Sequence, residues 1–307
     1  MLFRSKEIEM FHSFKEVEEY VLGNGICKTV ALAGAHDEPA LSALIEAKRK
    51  GVVKGILIGD EPAILELLKQ YGESADDYEI INETDEREAA NKAVAKVREG
   101  AADMPMKGLM QTASFMRAIL NKETGILPPG KVLSQCTVFE WPEKSKLMFA
   151  SDCAVNITPD AEAKARILEN AAELAAAFGV DTPKVAVISA VEKVNEKIPS
   201  TVDAADLKAR TWNGCVVDGP FALDIALDEE AAHHKGVESE VAGNADVLLM
   251  PDLCAGNVLH KALHFFAHFE TAGALCGTEM PVIMTSRTDT PRTKYDSILT
   301  AILQCGE

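Results

Sequence analysis

The feature that most constrains the fold is an alternation of short apolar runs with helical patterns along nearly the whole chain. Short apolar runs bounded by turn residues are typical of buried strands, and apolar residues spaced three and four apart are typical of helices. This alternation predicts a largely parallel sheet with helices on both faces. The predicted strands are 29–33, 56–58, 78–81, a run ending near 106, 132–139, 147–150, 185–189, 215–217, 247–250 and 282–285. The predicted helices are 39–50, 62–71, 85–99, 112–121, 160–178, 203–210, 228–235, 257–269 and 293–304.

The alternation breaks between about residues 121 and 152. The stretches NKETG at 121–125 and PPG at 128–130 interrupt the helical register. Two predicted strands then flank WPEK at 141–144, which is typical of an antiparallel hairpin loop. We therefore predict an α/β protein of two α/β/α domains with a cleft between them, the second domain beginning in this region.

Net charge limits what the surface of this chain can bind. The 307 residues include 31 Lys and Arg against 48 Asp and Glu, which gives a net charge of −17, and 47% are hydrophobic. The apolar content supports a packed core and excludes a disordered chain. The acidity argues against a nucleic-acid-binding surface and against docking on anionic membranes. An anionic ligand would need the few cations to be concentrated at one place.

The remaining global features predict a cytoplasmic protein. The N-terminal stretch is charged and lacks the apolar segment of a signal peptide. No apolar run reaches the length of about 18 residues that indicates a transmembrane helix. The seven cysteines are scattered and none is in a CxxC pair, which is typical of reduced thiols. Cys136 and Cys153 lie in predicted strands without a nearby His, which favours buried packing over nucleophilic catalysis.

A first candidate site follows the predicted strand near residue 106. Lys107 ends the strand, the glycine after it allows close backbone approach, and Thr112 and Ser114 lie at the start of a helix that carries Arg117. Backbone N–H groups, hydroxyls and a guanidinium together suit a phosphate. The alternative interpretation is a capped helix with a surface arginine.

Two further turns follow predicted strands. One is a turn of small residues that leads to Gly256 and Asn257, where a ligand would approach the main chain closely or where the chain forms an ordinary βα loop. The other delivers Ser286 and Arg287 at a strand tip, with Asp289 two residues on. Arginine suits phosphate oxygens and serine suits a developing negative charge. The alternative is a helix cap, with Asp289 or Thr290 as the capping residue.

Other polar patterns have structural interpretations. Asp37 and Asp60 each precede a helix with Pro near its start, and we interpret both as helix caps. His260, His264 and His268 recur at every fourth residue on one predicted helix face. One straight helix cannot wrap three ligands around a single ion, so we expect a packed helix, suited to a subunit contact, and no metal site.

Several longer stretches resemble one enzyme family, that of the phosphate acetyl/butyryltransferases, and within it the butyryl branch. The resemblance covers nearly all of the chain beyond about residue 100, and PDLCAGN together with the terminal TSR is its most specific part. GPFALDIAL and NEKIPSTVDA favour the butyryl branch over the acetyl branch. The matching stretches are KGLMQTASFMRAIL (107–120), FASDCAVNITPD (149–160), ISAVEKVNEKIPSTVDAADL (188–207), GCVVDGPFALDIAL (214–227), KGVESEVAGNADVLLMPDLCAGNVLHKAL (235–263) and MPVIMTSRTDT (280–290).

The resemblance implies a reaction and a fold. The reaction is reversible acyl transfer, in which acyl-CoA and phosphate give acyl phosphate and CoA, without a resident cofactor or metal. The implied fold is that of the isocitrate and isopropylmalate dehydrogenases, with a C-terminal segment that returns to the first domain. The predicted domains are then residues 1–128 plus 285–307, and residues 129–284 with the antiparallel insertion. We expect a homodimer or a higher homo-oligomer.

The resemblance also implies residue roles. Ser286 and Arg287 fall on the family's active-site serine and arginine, and Arg117 on a further phosphate-handling arginine. The acid proposed as thiol base in the acetyl branch corresponds to a position near Thr293, so we take Asp289 as the candidate base. Lys107, Thr112 and Ser114 complete the predicted phosphate site, and Asp252, Gly256 and Asn257 the predicted CoA site.

Other functions remain open at this point. Within the family, acetyl, medium-chain and branched acyl groups differ by methylenes, each of which contributes only about 1 kcal/mol to binding. A metal- and NAD-dependent decarboxylating dehydrogenase of the same fold would need clustered acidic ligands and an adenosine pocket. A non-enzymatic acyl-CoA-binding module would bind CoA without phosphate-dependent turnover.

Overall fold

The computed structural model describes residues 9–286 and 289–306. These residues form two packed units. The first unit contains residues 14–131 and 271–306, and the second contains residues 9–13 and 132–270. Residues 271–284, which the predicted division placed in the second domain, contact the C-terminal helix. The N–H of Gly273 donates to the Ser297 hydroxyl at 3.0 Å, for example.

The first unit begins with five helices and four strands. They are α1 (Phe14–Gly23), β1 (Lys28–Ala33), α2 (Glu38–Arg49), β2 (Val53–Gly59), α3 (Glu61–Gln70), β3 (Glu79–Asn82), α4 (Glu86–Arg98), β4 (Met104–Lys107) and α5 (Thr112–Ile119). The strands form one parallel sheet in the order β3-β2-β1-β4. Because every connection between them contains a helix, the strands run parallel and their carboxyl ends lie at one edge.

The second unit follows in the chain. Its elements are β5 (Ser134–Trp141), β6 (Lys146–Ser151), α6 (Ala161–Ala177), β7 (Lys184–Ile188), α7 (Pro199–Ala209), β8 (Val216–Phe221), α8 (Leu223–Leu227), α9 (Glu229–His234), β9 (Val247–Leu249) and α10 (Leu253–Phe265). Its strands follow the order β5-β6-β9-β7-β8. The predicted hairpin is confirmed, since β5 and β6 pair antiparallel around a 3-10 turn at Pro142–Lys144, and the other neighbours are parallel.

The chain then returns to the first unit with β10 (Thr271–Cys276) and α11 (Pro291–Gln304). Between them, Ile283 forms a parallel bridge with Met106 of β4. The N–H of Ile283 donates to the Pro105 carbonyl at 3.0 Å, and the N–H of Lys107 donates to the Ile283 carbonyl at 2.9 Å. The segment that ends at Ser286 therefore lies beside β4 and ends at the carboxyl edge of the parallel sheet.

The predicted α/β class, with parallel sheets, is confirmed, and the sheet of the second unit is mixed. Two local differences have clear causes. Helix α10 begins at Leu253 rather than 257 because the Asp252 carboxylate accepts the N–H of Ala255 at 2.9 Å and starts the helix early. Strand β10 was not predicted, since its alanine and glycine content is not typical of a strand.

The two aspartates interpreted as helix caps behave differently. Asp60 caps α3 by accepting the N–H of Ala63 at 3.1 Å, as predicted. Asp37 occupies the same position before α2 but its side chain makes no capping hydrogen bond, so that prediction is wrong for its carboxylate. Within the part of the chain that the structure describes, no helix has the length and apolar character needed to cross a membrane.

Candidate active site

Ser286 lies at the carboxyl edge of the first unit's sheet, where its main chain is held on both sides. Its N–H donates to Asp289 Oδ2 at 2.7 Å, and its carbonyl accepts the N–H of Asp289 at 3.2 Å. This reciprocal pair closes a tight turn and orients the serine, which is half-buried. Arg287, which the sequence predicts at the same tip, lies outside the described residues.

A buried lysine beneath this turn was missed by the sequence analysis. Lys294 of α11 is 2% exposed, and its Nζ donates to the Ser286 carbonyl at 2.7 Å and to Thr285 Oγ1 at 3.1 Å. Burial lowers the pKa of Lys294, whereas the negative charges of Asp289 and Asp37 oppose that shift. Helical spacing could have indicated that Lys294 is buried, since it comes four residues before the fully buried Ile298 and so lies on the same helix face.

Lys107 ends β4 at the same edge. Its side chain is 4% exposed, and Nζ lies 3.4 Å from the Gly108 carbonyl. The next residue, Gly108, does permit a close approach, but to the protein's own backbone. A Cβ there would lie 2.3 Å from the Gly34 carbonyl oxygen. The glycine is therefore explained by the packing of two βα loops of the first unit.

A carboxylate already occupies the start of α5, where the sequence predicts a phosphate. Glu86 Oε2 accepts the N–H of Gln111 at 3.1 Å and lies 3.4 Å from the Ser114 hydroxyl. Ser114 is buried, whereas Thr112 and Arg117 are exposed. A helix N-terminus attracts one anion for the same reason that it attracts another, so Glu86 and a phosphate would compete for these donors.

The predicted CoA residues form the start of α10 in the second unit. Asp252 is the helix cap, and Asn257 is exposed with Nδ2 3.4 Å from the Cys153 carbonyl. A Cβ on Gly256 would lie 2.1 Å from the Asp152 carbonyl oxygen. The small residue is thus required by packing of the helix against the loop after β6, rather than by an approaching ligand.

That loop contains a buried aspartate that the sequence analysis did not single out. Asp152 is 3% exposed. Its carboxylate accepts three main-chain N–H groups, at 2.7, 2.9 and 3.1 Å, from consecutive residues that begin two positions further along the chain. These donors belong to Ala154, Val155 and Asn156. Burial raises the pKa of the neighbouring Cys153 thiol to about 12, so this thiol stays protonated and unreactive at neutral pH. This agrees with the interpretation of Cys153 as a packing residue.

The three histidines do not share one helix. Helix α10 ends at Phe265, and His268 lies beyond it with a φ of 54° in the left-handed region, so that part of the prediction is wrong. His260 packs inward, with Nδ1 3.2 Å from Thr137 Oγ1. Among residues 9–286 and 289–306, no three His, Cys, Asp or Glu side chains are grouped to hold a metal ion.

Comparison with known proteins identifies the family. The sequence model of the Phosphate acetyl/butaryl transferase family matches residues 66–302. The chain is 47% identical to a phosphate butyryltransferase of Clostridium acetobutylicum, over 97% of this chain and 99% of that protein. This chain belongs to the phosphate acetyl/butyryl transferase family.

The family includes relatives with different acyl groups in their names. A phosphate acetyltransferase of Thermotoga maritima is 38% identical over 92% of this chain and 97% of its own length. The crystal structure of a branched-chain phosphotransacylase from Enterococcus faecalis superposes with a TM-score of 0.82 and 31% identity, covering 91% of this chain and 99% of that one. The resemblance inferred from the sequence motifs is therefore confirmed at the level of the family, and the α/β fold is similar to that of a phosphotransacylase.

The predicted site residues of this phosphate acetyl/butyryl transferase family member divide between the two units. The first unit contains Ser286, Asp289, Arg117, Lys107, Thr112 and Ser114. The second unit contains Asp252, Gly256 and Asn257. At the carboxyl edge of the first unit, the structure brings together Ser286, Asp289 and the unpredicted Lys294 through direct hydrogen bonds and charge.

Proposed function

We propose that this chain is a phosphate butyryltransferase, which converts butanoyl-CoA and phosphate reversibly into butanoyl phosphate and CoA. The observation that carries this proposal is the match to a phosphate butyryltransferase over nearly the full length of both chains. The reaction uses CoA and phosphate as substrates and needs no resident cofactor or metal. Nucleic acid and membrane lipid are not among its partners, in keeping with the acidic composition.

The transfer proceeds by direct attack within a ternary complex. In one direction a phosphate oxygen attacks the thioester carbonyl, the C–S bond breaks and the CoA thiolate leaves. In the other, the CoA thiolate attacks the acyl phosphate carbonyl, the C–O bond breaks and phosphate leaves. Holding both reactants in one site turns a bimolecular step into an effectively unimolecular one, which is a large part of the rate gain in such reactions.

Ser286 acts on the oxyanion that forms at the acyl carbonyl. Its main chain is fixed by hydrogen bonds to Asp289 and Lys294, so the direction of its Cα–Cβ bond is set before the substrate binds. A pre-oriented donor is more effective than a mobile one because no reorganisation is needed in the transition state. Asp289, in the same turn, is the proposed base that accepts the proton of the CoA thiol.

The phosphate is held by Arg287 and Arg117, with Lys107 adding charge at the same sheet edge and Thr112 and Ser114 adding hydroxyl donors. Guanidinium groups bind phosphate through two parallel hydrogen bonds and so orient the nucleophile. The CoA contacts are assigned to Asp252 and Asn257 at the α10 start, since Gly256 there is explained by packing against the loop after β6. In this proposal the cationic side chains are concentrated at the phosphate site, whereas the acidic residues lie on the solvent-exposed helices.

Three wider assignments accompany the proposal. The fold is grouped with the isocitrate and isopropylmalate dehydrogenases, supported by the C-terminal return to the first unit. The protein acts in the cytoplasm. It forms a homodimer or a higher homo-oligomer, supported by exposed apolar side chains on α10 and directly after it: Val258 is 68% exposed, Phe265 58% and Phe266 86%. Such exposure of large apolar groups is typical of interfaces.

Release of CoA thiol from butanoyl-CoA, measured with and without phosphate, tests the function. Strictly phosphate-dependent release supports it, and a panel of acetyl-, propionyl-, butanoyl- and branched acyl-CoAs gives the acyl preference. A highest kcat/KM with acetyl-CoA would reassign the chain to the acetyl branch. Release without phosphate dependence would contradict the proposal altogether. Turnover in EDTA without added NAD distinguishes it from a metal- and NAD-dependent dehydrogenase.

Arg287→Ala tests the assigned phosphate contact. We expect turnover to be nearly abolished while the melting temperature is unchanged, because the role assigned to this guanidinium is to bind phosphate and not to stabilise the fold. The matched control is Arg98→Ala, which removes an exposed arginine at the end of α4 in the same unit. Near wild-type activity in the Arg287 variant would show that the assignment is wrong.

A further inference from the structure

A fully buried ammonium group lies directly behind the turn that carries Ser286. Lys294 is 2% exposed, and both of its hydrogen bonds go to the end of the segment beside β4, at 2.7 Å to the Ser286 carbonyl and 3.1 Å to Thr285 Oγ1. Burying a cation is unfavourable unless hydrogen bonds and opposite charges compensate. A methionine or leucine would fill the same space on α11 without that cost, so packing alone does not explain a lysine here.

The compensating charges come from two other segments of the first unit. Asp289 lies in the turn itself, and Asp37 lies at the start of α2; both act on the Lys294 ammonium. Asp37 is in the capping position but does not cap its helix, in contrast to Asp60 before α3. The charge of Lys294 is thus balanced from the sheet edge where the predicted active-site residues lie.

The contacts of Lys294 complete the fixation of Ser286. Asp289 Oδ2 holds the serine N–H at 2.7 Å, and Lys294 holds the serine carbonyl at 2.7 Å. With both main-chain polar groups held, the φ and ψ angles of the serine are restricted, and with them the direction in which its side chain leaves the backbone. The side chain of Lys294 itself points to the main chain of the turn.

We propose that Lys294 is a positioning residue for acyl transfer, which holds the Ser286 main chain so that the hydroxyl meets the oxyanion. The inference rests on the proposed function. It assigns a role that the family resemblance did not supply, because the resemblance placed the thiol base near Thr293 and gave no role to Lys294. Displacement of a catalytic group by about 1 Å typically lowers the rate about 100-fold, which sets the size of the expected effect.

The test replaces Lys294 by methionine, which keeps an unbranched side chain as far as Cε and removes the ammonium. The matched control is Lys164→Met in the second unit, since Lys164 is 4% exposed and its Nζ pairs with Asp203 at 2.6 Å. We expect both variants to lower the melting temperature. Only Lys294→Met should lower kcat, by about 100-fold, with the KM values for phosphate and butanoyl-CoA changed less than about twofold.

Thr285→Val provides a second variant that does not depend on the folding of Lys294→Met. It removes only the 3.1 Å hydrogen bond from Lys294 Nζ to Thr285 Oγ1. The hydrogen bond from Lys294 Nζ to the Ser286 carbonyl stays in place. We expect a several-fold fall in kcat at constant KM, and Lys294→Arg, which keeps a donor cation, should recover part of the kcat lost in Lys294→Met. Both results would support a positioning role because a merely structural role predicts neither.

Other outcomes would overturn the inference. A wild-type kcat in folded Lys294→Met, or equal losses of kcat in Lys294→Met and Lys164→Met, would make Lys294 a purely structural residue. If Lys294→Met does not fold, a wild-type kcat in Thr285→Val has the same meaning. If wild-type protein shows no phosphate-dependent thiol release, the proposed function fails and the inference fails with it. Failure of the variant prediction with an active wild type overturns the inference alone.

Discussion

The carboxylate of Asp289 accepts a 2.7 Å hydrogen bond from the main-chain N–H of Ser286, so the candidate base and the candidate oxyanion donor belong to one turn. The turn is closed by a second hydrogen bond from the Asp289 N–H to the Ser286 carbonyl. Asp289 therefore has a structural contact in addition to any role in proton transfer. These two roles have different consequences when the carboxylate is replaced.

Asp289→Asn separates the two roles, because an amide oxygen can still accept the N–H of Ser286 but the side chain cannot take a proton from the CoA thiol. We expect kcat to fall by about 100-fold or more, which is typical of losing a general base, with an unchanged melting temperature. Asp160→Asn is the matched control, since Asp160 accepts a main-chain N–H from Ala163 at 2.8 Å to cap α6. Wild-type kcat in Asp289→Asn, with a loss only in Asp289→Ala, would assign Asp289 a structural role alone.

The carboxylate at the start of α5 leads to a prediction about phosphate affinity. Glu86 lies on the donors that the predicted phosphate site uses, at 3.1 Å from the N–H of Gln111. Removing a like charge a few ångströms from an anion near the surface is worth about 1 kcal/mol or more, so Glu86→Gln should lower the KM for phosphate several-fold. Steady-state kinetics at varied phosphate measure this.

Glu88→Gln is the control for this measurement, because Glu88 lies on the same helix and is exposed to solvent. We expect its KM for phosphate to equal that of the wild type. An unchanged or raised KM in Glu86→Gln would remove Thr112 and Ser114 from the phosphate site.

Gly256→Ala tests whether the α10 start is shaped by packing. The new Cβ would lie 2.1 Å from the Asp152 carbonyl oxygen, which forces the helix away from the loop after β6. Overpacking of this kind destabilises proteins by about 1–3 kcal/mol, and we expect a lower melting temperature. In the control Gly23→Ala, no heavy atom lies within 4 Å of the new Cβ. An unchanged melting temperature for Gly256→Ala would favour the ligand-approach interpretation.

The lowered pKa of Glu73 leads us to expect that the stability of the protein depends on pH. Burial by itself would raise the pKa of Glu73, but hydrogen bonds from Lys48, Tyr78 and Arg49 outweigh it and lower this pKa from 4.5 to about 2. A carboxylate with a lowered folded-state pKa stabilises the protein above about pH 4.5, and this contribution is lost as the pH falls toward about 2.

Glu73→Gln should therefore lower the free energy of unfolding at pH 7, by an amount on the order of 3 kcal/mol. The difference from wild type should shrink as the pH falls below about 4.5. Urea unfolding at several pH values measures both effects, with the exposed Glu66→Gln as control. A difference between Glu73→Gln and wild type that does not vary with pH would contradict the pKa argument.

Local patterns predicted most of the secondary structure. The βα alternation, the hairpin between β5 and β6 and the cap at Asp60 depend on residues close together in the chain, so the sequence contains the full signal. The histidine periodicity failed because spacing alone does not show where a helix ends, and α10 ends at Phe265. Strand β10 was missed because its small residues become a strand through tertiary pairing rather than through intrinsic preference.

The candidate site divides in the same way. Ser286 and Asp289 were predicted as functional residues from a strand tip and a family motif, and their proximity follows from their spacing of three residues. Lys294 was not predicted, because a lysine on a helix is ordinarily a solvated residue. Only the packing of α11 behind the segment that ends at Ser286 makes it a buried donor to Ser286.

By itself the sequence determined most of the order of strands and helices, the family and the residues at the strand ends. The tertiary structure decided what those residues contact. Gly108 and Gly256 approach other parts of the backbone, Glu86 occupies the start of α5, and Lys294 holds Ser286. The physical reason is that each of these contacts joins segments brought together only by packing, and the free energy of a hydrogen bond or a buried charge depends on the surroundings that packing creates.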